Sequence, residues 1–151
     1  MSRRGTILLV EDNPDDIELT LMAFARSRVT NEIIVVKDGQ EAVDYMFGLG
    51  SHAGRDPARM PEVVLLDLNL PKIDGLDVLR RIRADARTRR VPVVVLSSSR
   101  EHQDIVRSYD FGANSFVQKP VDFSQFVEWA RQLGSYWLVL NEPPPPSVRN
   151  V

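Results

Sequence analysis

Five short apolar runs at regular intervals decide what this chain can fold into. They are Ile7–Val10 (ILLV), Ile33–Val36 (IIVV), Val63–Leu66 (VVLL), Val93–Leu96 (VVVL) and a weaker Phe116–Val117. Each is too short for an independent helix, and most are rich in β-branched residues, which favour strands. Their apolar character is continuous rather than alternating, as expected of strands covered on both faces in a parallel sheet.

Helical patterns fill the intervals. Asp15 to Ser27 carries Ile17, Leu21, Phe24 and Ala25 at helical spacing; Gly39 to Phe47 carries Ala42, Val43 and Met46; Gly75 to Ala84 carries Leu76, Leu79 and Ile82. Glu101 to Phe111 is shorter, with Gly112 as its stop signal, and Asp122 opens a last helix running to about Leu140 with Phe126, Trp129, Ala130 and Leu133 on its apolar side. The pattern predicts a flavodoxin-like (βα)5 fold: one doubly wound, parallel, five-stranded sheet with helices on both faces. Two segments stand outside this rhythm. Gly48 to Pro61 is rich in glycine, proline and charge and reads as a long surface loop. Pro143–Pro146 cannot continue a helix and favours an extended tail. The expected division is a domain over 1–140 and a proline-rich tail over 141–151.

Composition narrows the function. The 151 residues suit a single domain with a proper core, and a formal charge of −2 gives no reason to expect nucleic acid as a partner. There is no cysteine, which excludes disulfides, thiolate metal sites and cysteine nucleophiles. The apolar run near the N-terminus is too short for a signal peptide or a membrane span, so a cytoplasmic protein without membrane contact is expected.

Ligands of open α/β sheets bind beyond the carboxyl ends of the strands. Glu11 and Asp12 follow ILLV, Asp67 follows VVLL, Ser97 follows VVVL, and Lys119 and Pro120 close the fifth strand. The fold should therefore gather three acids, a hydroxyl and a lysine at one sheet edge. Clustered carboxylates repel one another unless a cation is present, and a hard divalent ion such as magnesium takes oxygen ligands. An aspartate can act as a nucleophile towards phosphorus, and such transfers depend mostly on positioning and charge neutralisation. Taken singly, each residue has a plainer reading: the acids as helix caps or turn formers, Ser97 as part of a polar Ser97–Ser99 loop, and Lys119 as a solvated lysine. Their combination at successive strand ends is what favours a site.

In the stretches Ile7–Asp12 (ILLVED), Val63–Pro71 (VVLLDLNLP), Asp74–Gly75, Pro92–Ser97 (PVVVLS) and Lys119–Pro120, the sequence resembles the receiver domains of response regulators. The resemblance implies that Asp67 is the phosphoacceptor. It gives Glu11, Asp12, Asp67 and the backbone carbonyl of Asn69 to a Mg2+ ion, and Ser97 and Lys119 to the phosphoryl group. It also implies a cis peptide before Pro120 and a switch role for Phe116, for which plain core packing is an equal alternative. Ser97 is the smaller of the family's two hydroxyl residues, and Phe116 replaces the commoner tyrosine. The long loop, the wording DLNLPKIDG and the Trp/Pro-bearing C-terminus resemble stand-alone regulators that partner bacteriophytochrome-type histidine kinases. The stretch after Leu140 is too short for a DNA-binding domain, so output is expected through a protein contact, a phosphorelay step or a phosphate sink. The aromatic residues of the last helix exceed what one sheet face can cover, which favours a homodimer through the fourth helix, fifth strand, fifth helix and C-terminal segment; the alternative is that Tyr136–Leu140 folds back to cover its own domain.

On this reading the chain catalyses only its own phosphorylation and dephosphorylation. Three rivals fare worse. A receiver-like module that only binds proteins would typically have lost an acid or the lysine. An aspartyl-phosphate phosphatase of the haloacid-dehalogenase type needs a second aspartate where Asn69 stands, and asparagine is no general acid. A flavodoxin-type cofactor binder needs a glycine-rich loop where the chain has Glu11–Asp12–Asn13–Pro14. His52 and His102 are isolated in sequence, expected at the surface and given no role.

Overall fold

The computed structural model describes residues 5–56 and 59–145. Pro57 and Ala58 of the long loop and Pro146 to Val151 of the expected extended tail lie outside the described residues. Five strands, β1 (Thr6–Val10), β2 (Glu32–Val36), β3 (Val63–Leu66), β4 (Val93–Ser97) and β5 (Ser115–Gln118), alternate with α1 (Pro14–Arg26), α2 (Gly39–Phe47), α3 (Gly75–Ala84), α4 (His102–Asp110) and α5 (Phe123–Ser135). All strand pairs are parallel, in the order β2-β1-β3-β4-β5. This is the expected flavodoxin-like architecture.

The continuous apolar runs are explained by the two cores. On one face Leu8, Val10, Val64, Leu66, Val93 and Val95 pack under α2 and α3; on the other Ile7, Leu9, Val63, Leu65 and Val94 pack under α1 and α5. The three inner strands, β1, β3 and β4, are buried almost throughout, so neither strand face leaves a polar position open.

Local signals set the helix starts. Asn13 caps α1, its side chain accepting from the Asp15 and Asp16 N–H groups, with Pro14 at the first helical position. Asp38, Asp74 and Asp122 cap α2, α3 and α5 in the same way. Gly48 ends α2 at φ 66°, a left-handed position that favours glycine. The buried side of α1 runs through Thr20, Ala23 and Phe24, whereas Leu21 and Ala25 of the expected stripe face solvent. Thr20 can be buried because its hydroxyl donates to the Asp16 carbonyl at 2.7 Å.

The last helix also departs from expectation. Its regular part stops at Ser135, and Tyr136–Leu140 forms a wider π-helical turn. That turn buries Leu138 but leaves Tyr136, Val139 and Leu140 exposed. Pro143 to Pro145 carry no regular structure. The Gly48–Pro61 stretch contains one 3-10 turn, Gly50–His52. Arg55 pins it to α2, donating to the Tyr45 carbonyl at 2.7 Å with its guanidinium 4.1 Å from the Tyr45 ring centroid. His52 is not a free surface residue: it is half-buried, edge-on to Tyr45, with Nε2 3.5 Å from a Glu41 carboxylate oxygen. His102 is exposed at the start of α4.

Candidate functional site

Backbone pairing carries the first acids and the lysine to one edge. The Glu11 N–H donates to the Val36 carbonyl, the Asp67 N–H to Val10 and the Lys119 N–H to Ser97, each at the end of a neighbouring strand. Sheet geometry thus converts distant sequence positions into a single cluster. Glu11, Asp12 and Asp67 each offer a carboxylate oxygen, and these oxygens all lie within 4.8 Å of one another. Glu11 and Asp67 are buried, while Asp12 faces solvent. A buried pair of acids beside an exposed third, all hard oxygen donors, fits a divalent ion reached from water.

Lys119 Nζ sits among carboxylates, 2.6 Å from Glu11 Oε1, 2.8 Å from Asp16 Oδ2 and 3.3 Å from Asp67 Oδ2. Burial works against its charge, but hydrogen bonds to Asp16 and Glu11 and the charge of Asp67 outweigh this and hold its pKa above the ordinary lysine value. Glu11 moves the other way for an acid. Burial, then a hydrogen bond with Asp67, push its pKa up to about 7 despite the lysine. One ammonium among several carboxylates does not neutralise them all, so the cluster has room for more positive charge.

Ser97 is fully buried at the end of β4, where its Oγ accepts from the Ser99 N–H at 3.1 Å. Asn69 is exposed, and its N–H donates to Asp67 Oδ1 at 3.3 Å, which folds the Leu68–Asn69 peptide back against the Asp67 carboxylate. Phe116 lies opposite Val95 on β5, half-buried against the core under α2 and α3. The peptide before Pro120 is trans, not cis as expected: the chain has no cis bond among the described residues. For an X–Pro bond trans is favoured by roughly 0.5–1 kcal/mol, and proline is compatible with either form.

The structure brings together Glu11, Asp12, Asp67 and Lys119, with Ser97 at the end of β4 and Asn69 on the loop after β3. The strand-end pattern does not single out Asp16, which lies in the first turn of α1 and reaches Lys119 across 103 residues. The available signal was the Asn13 cap, which fixes where α1 starts. No helix among the described residues is long and apolar enough to cross a membrane.

A family model described as the response regulator receiver domain matches residues 7–131. Response regulator Rcp1 of Synechocystis is 33% identical over 132 residues, covering 87% of this chain and 88% of the relative. Its Mn(2+)-bound crystal structure superposes with a TM-score of 0.84 over 93% of this chain and 99% of that one. The phosphorylated cyanobacterial phytochrome response regulator RcpA is 40% identical, with a TM-score of 0.87 over 95% of this chain and all of that chain. The bacteriophytochrome response regulator RtBRR is 50% identical, with a TM-score of 0.76 over 95% of this chain and 86% of the other.

Proposed function

Because the chain belongs to the response regulator receiver domain family, we propose that it is a phosphorylation switch whose Asp67 takes the phosphoryl group of a sensor kinase phosphohistidine. The observation that carries this reading is the convergence of Asp67 with two further acids and Lys119 at one sheet edge. An Asp67 oxygen attacks phosphorus, the P–N bond breaks, and its electron pair returns to the imidazole, which takes up a proton. Water later hydrolyses the acyl phosphate.

Glu11, Asp12 and Asp67, with the Asn69 carbonyl, would hold a Mg2+ ion, which supplies charge neutralisation at the transferring oxygens. Lys119 is already charged and within reach of Asp67, so it pairs with a phosphoryl oxygen after only a small movement. The Ser97 hydroxyl, bonded to the Ser99 N–H, turns towards the new charge. Phe116 then repacks on β5, and the face built from α4, β5 and α5 changes its population of packings. Catalysis is confined to the chain's own phosphorylation and dephosphorylation.

The kinase partner we infer is of the bacteriophytochrome type. The support is that RcpA and RtBRR are phytochrome response regulators by name, and both align over nearly the whole chain. The switch unit spans 1–140, with 141–151 as a tail; the helical structure ending at Leu140 supports that division. A second copy of the chain is the partner for the exposed Tyr136, Val139 and Leu140.

The direct test is incubation with Mg2+ and acetyl phosphate, read by intact mass, with Asp67→Asn as control. A gain of one phosphoryl group that needs Mg2+ and vanishes in the variant is expected. No gain there or with a panel of phosphorylated histidine kinases would end the reading.

A further inference from the structure

Lys119 holds two of the three carboxylates that would bind a divalent ion, Glu11 and Asp67. An ammonium and a divalent cation held on the same pair of buried carboxylates repel each other strongly. The lysine therefore needs somewhere else to bond when the ion is held. Asp16 offers that place. Its Oδ2 is 2.8 Å from the ammonium, and it is not one of the three clustered carboxylates. Its position is fixed on α1 by the Asn13 cap, which accepts from the Asp16 N–H at 3.1 Å, and by the Thr20 hydroxyl on its carbonyl.

We infer that Asp16 is a positioning residue for Lys119, a carboxylate that keeps the ammonium off the metal ligands while leaving it close enough to meet a phosphoryl oxygen. Without Asp16, the lysine stays on Glu11 and Asp67 and competes with the ion. This rests on the metal reading of Glu11, Asp12 and Asp67, and it assigns a role to a residue outside that set.

The test is Mn2+ binding to the unphosphorylated protein, followed by EPR, in a double-mutant cycle. Asp16→Asn should weaken Mn2+ binding about three- to tenfold. In a Lys119→Met background, where no ammonium competes, the same substitution should change it by less than about twofold. Equal weakening in both backgrounds would mean that Asp16 acts only through its own charge on the ion, and would overturn the inference. Failure of the wild-type protein to bind Mn2+ would instead remove the metal reading and this inference with it. Should Lys119→Met not fold, the 15N signal of the Lys119 ammonium in the Mg2+-saturated protein decides. It should be protected in the wild type and lost to solvent exchange in Asp16→Asn, and an unchanged signal would equally overturn the role.

Discussion

Gly39 touches the loop that carries Asn69. The Gly39 N–H donates to the Pro71 carbonyl at 3.1 Å, and a Cβ at position 39 would run into the Ile73 carbonyl oxygen. Lys72, at φ 68°, adds an ion pair at 3.5 Å to Asp38, the cap of α2. The start of α2 thus fixes the path of the chain between Asp67 and α3. Gly39→Ala forces that backbone to move, because the clash is with main chain. Overpacking of this kind costs about 1–3 kcal/mol. Urea unfolding should report that loss, and phosphorylation by acetyl phosphate should slow by more than the loss of folded protein explains. A variant as stable and as reactive as the wild type would show that the loop is positioned from elsewhere.

Lys119→Ala should destabilise the metal-free protein, not only impair phosphorylation. Its removal leaves Glu11 and Asp67 buried beside each other without the cation that now lies within 3.3 Å of both. Leaving a buried charge uncompensated costs about 3–5 kcal/mol. Much of this should return on adding Mg2+, since any ligand that binds only the folded state stabilises it by mass action. Urea titrations in chelator and in Mg2+ would measure both quantities. Equal losses under the two conditions would mean that the carboxylates are not the source of the instability.

Glu11 gives the metal-free protein a pH dependence of unusual sign for an acid. Its folded pKa of about 7 stands above its ordinary value of 4.5. Between these values the folded state binds more protons than the unfolded chain, so stability falls as pH rises. The Glu11 contribution is fully present below the unfolded value and is lost as pH passes through the folded one. The shift corresponds to at most about 3–4 kcal/mol. In chelator, Glu11→Gln should gain on the wild type steadily from pH 5 to pH 8, as read by thermal unfolding. Parallel curves would show that Glu11 ionises in the fold as easily as in the open chain.

Much of this site could be read in the sequence because the inner strands are buried on both faces. Their apolar runs stop at the carboxyl ends of the strands, so the polar residues that follow them, Glu11, Asp67 and Ser97, mark that sheet edge directly although they are themselves buried. Asp16 carries no such mark. Its importance depends on how far α1 has turned by its third residue, and on Lys119, which is remote in sequence. The same rotation explains why Leu21 and Ala25 face solvent although their spacing fits an apolar stripe. Thr20 takes the buried side instead, its hydroxyl satisfied by its own helix, which hydrophobic periodicity does not register. The trans peptide at Pro120 departs from expectation for another reason: proline permits both isomers, and the expectation rested on family resemblance alone.

The end of the chain supplies the last prediction. Tyr136, Val139 and Leu140 are about half exposed or more, with Leu140 at 71%, on a turn that buries only Leu138. Val106 and Tyr109 of α4 are also exposed, at 55% and 50%. Pairing with a second copy would take apolar surface of this kind out of water, at roughly 25 cal/mol per Å2 before the cost of association. Leu140→Asp with Tyr136→Asp should therefore shift the protein towards monomer by light scattering. Thermal stability of the monomer should stay within about 0.5 kcal/mol, because neither side chain is buried in the single chain. A wild type already monomeric at high concentration would assign these residues to a different partner. A variant that remains dimeric would place the contact elsewhere on the domain.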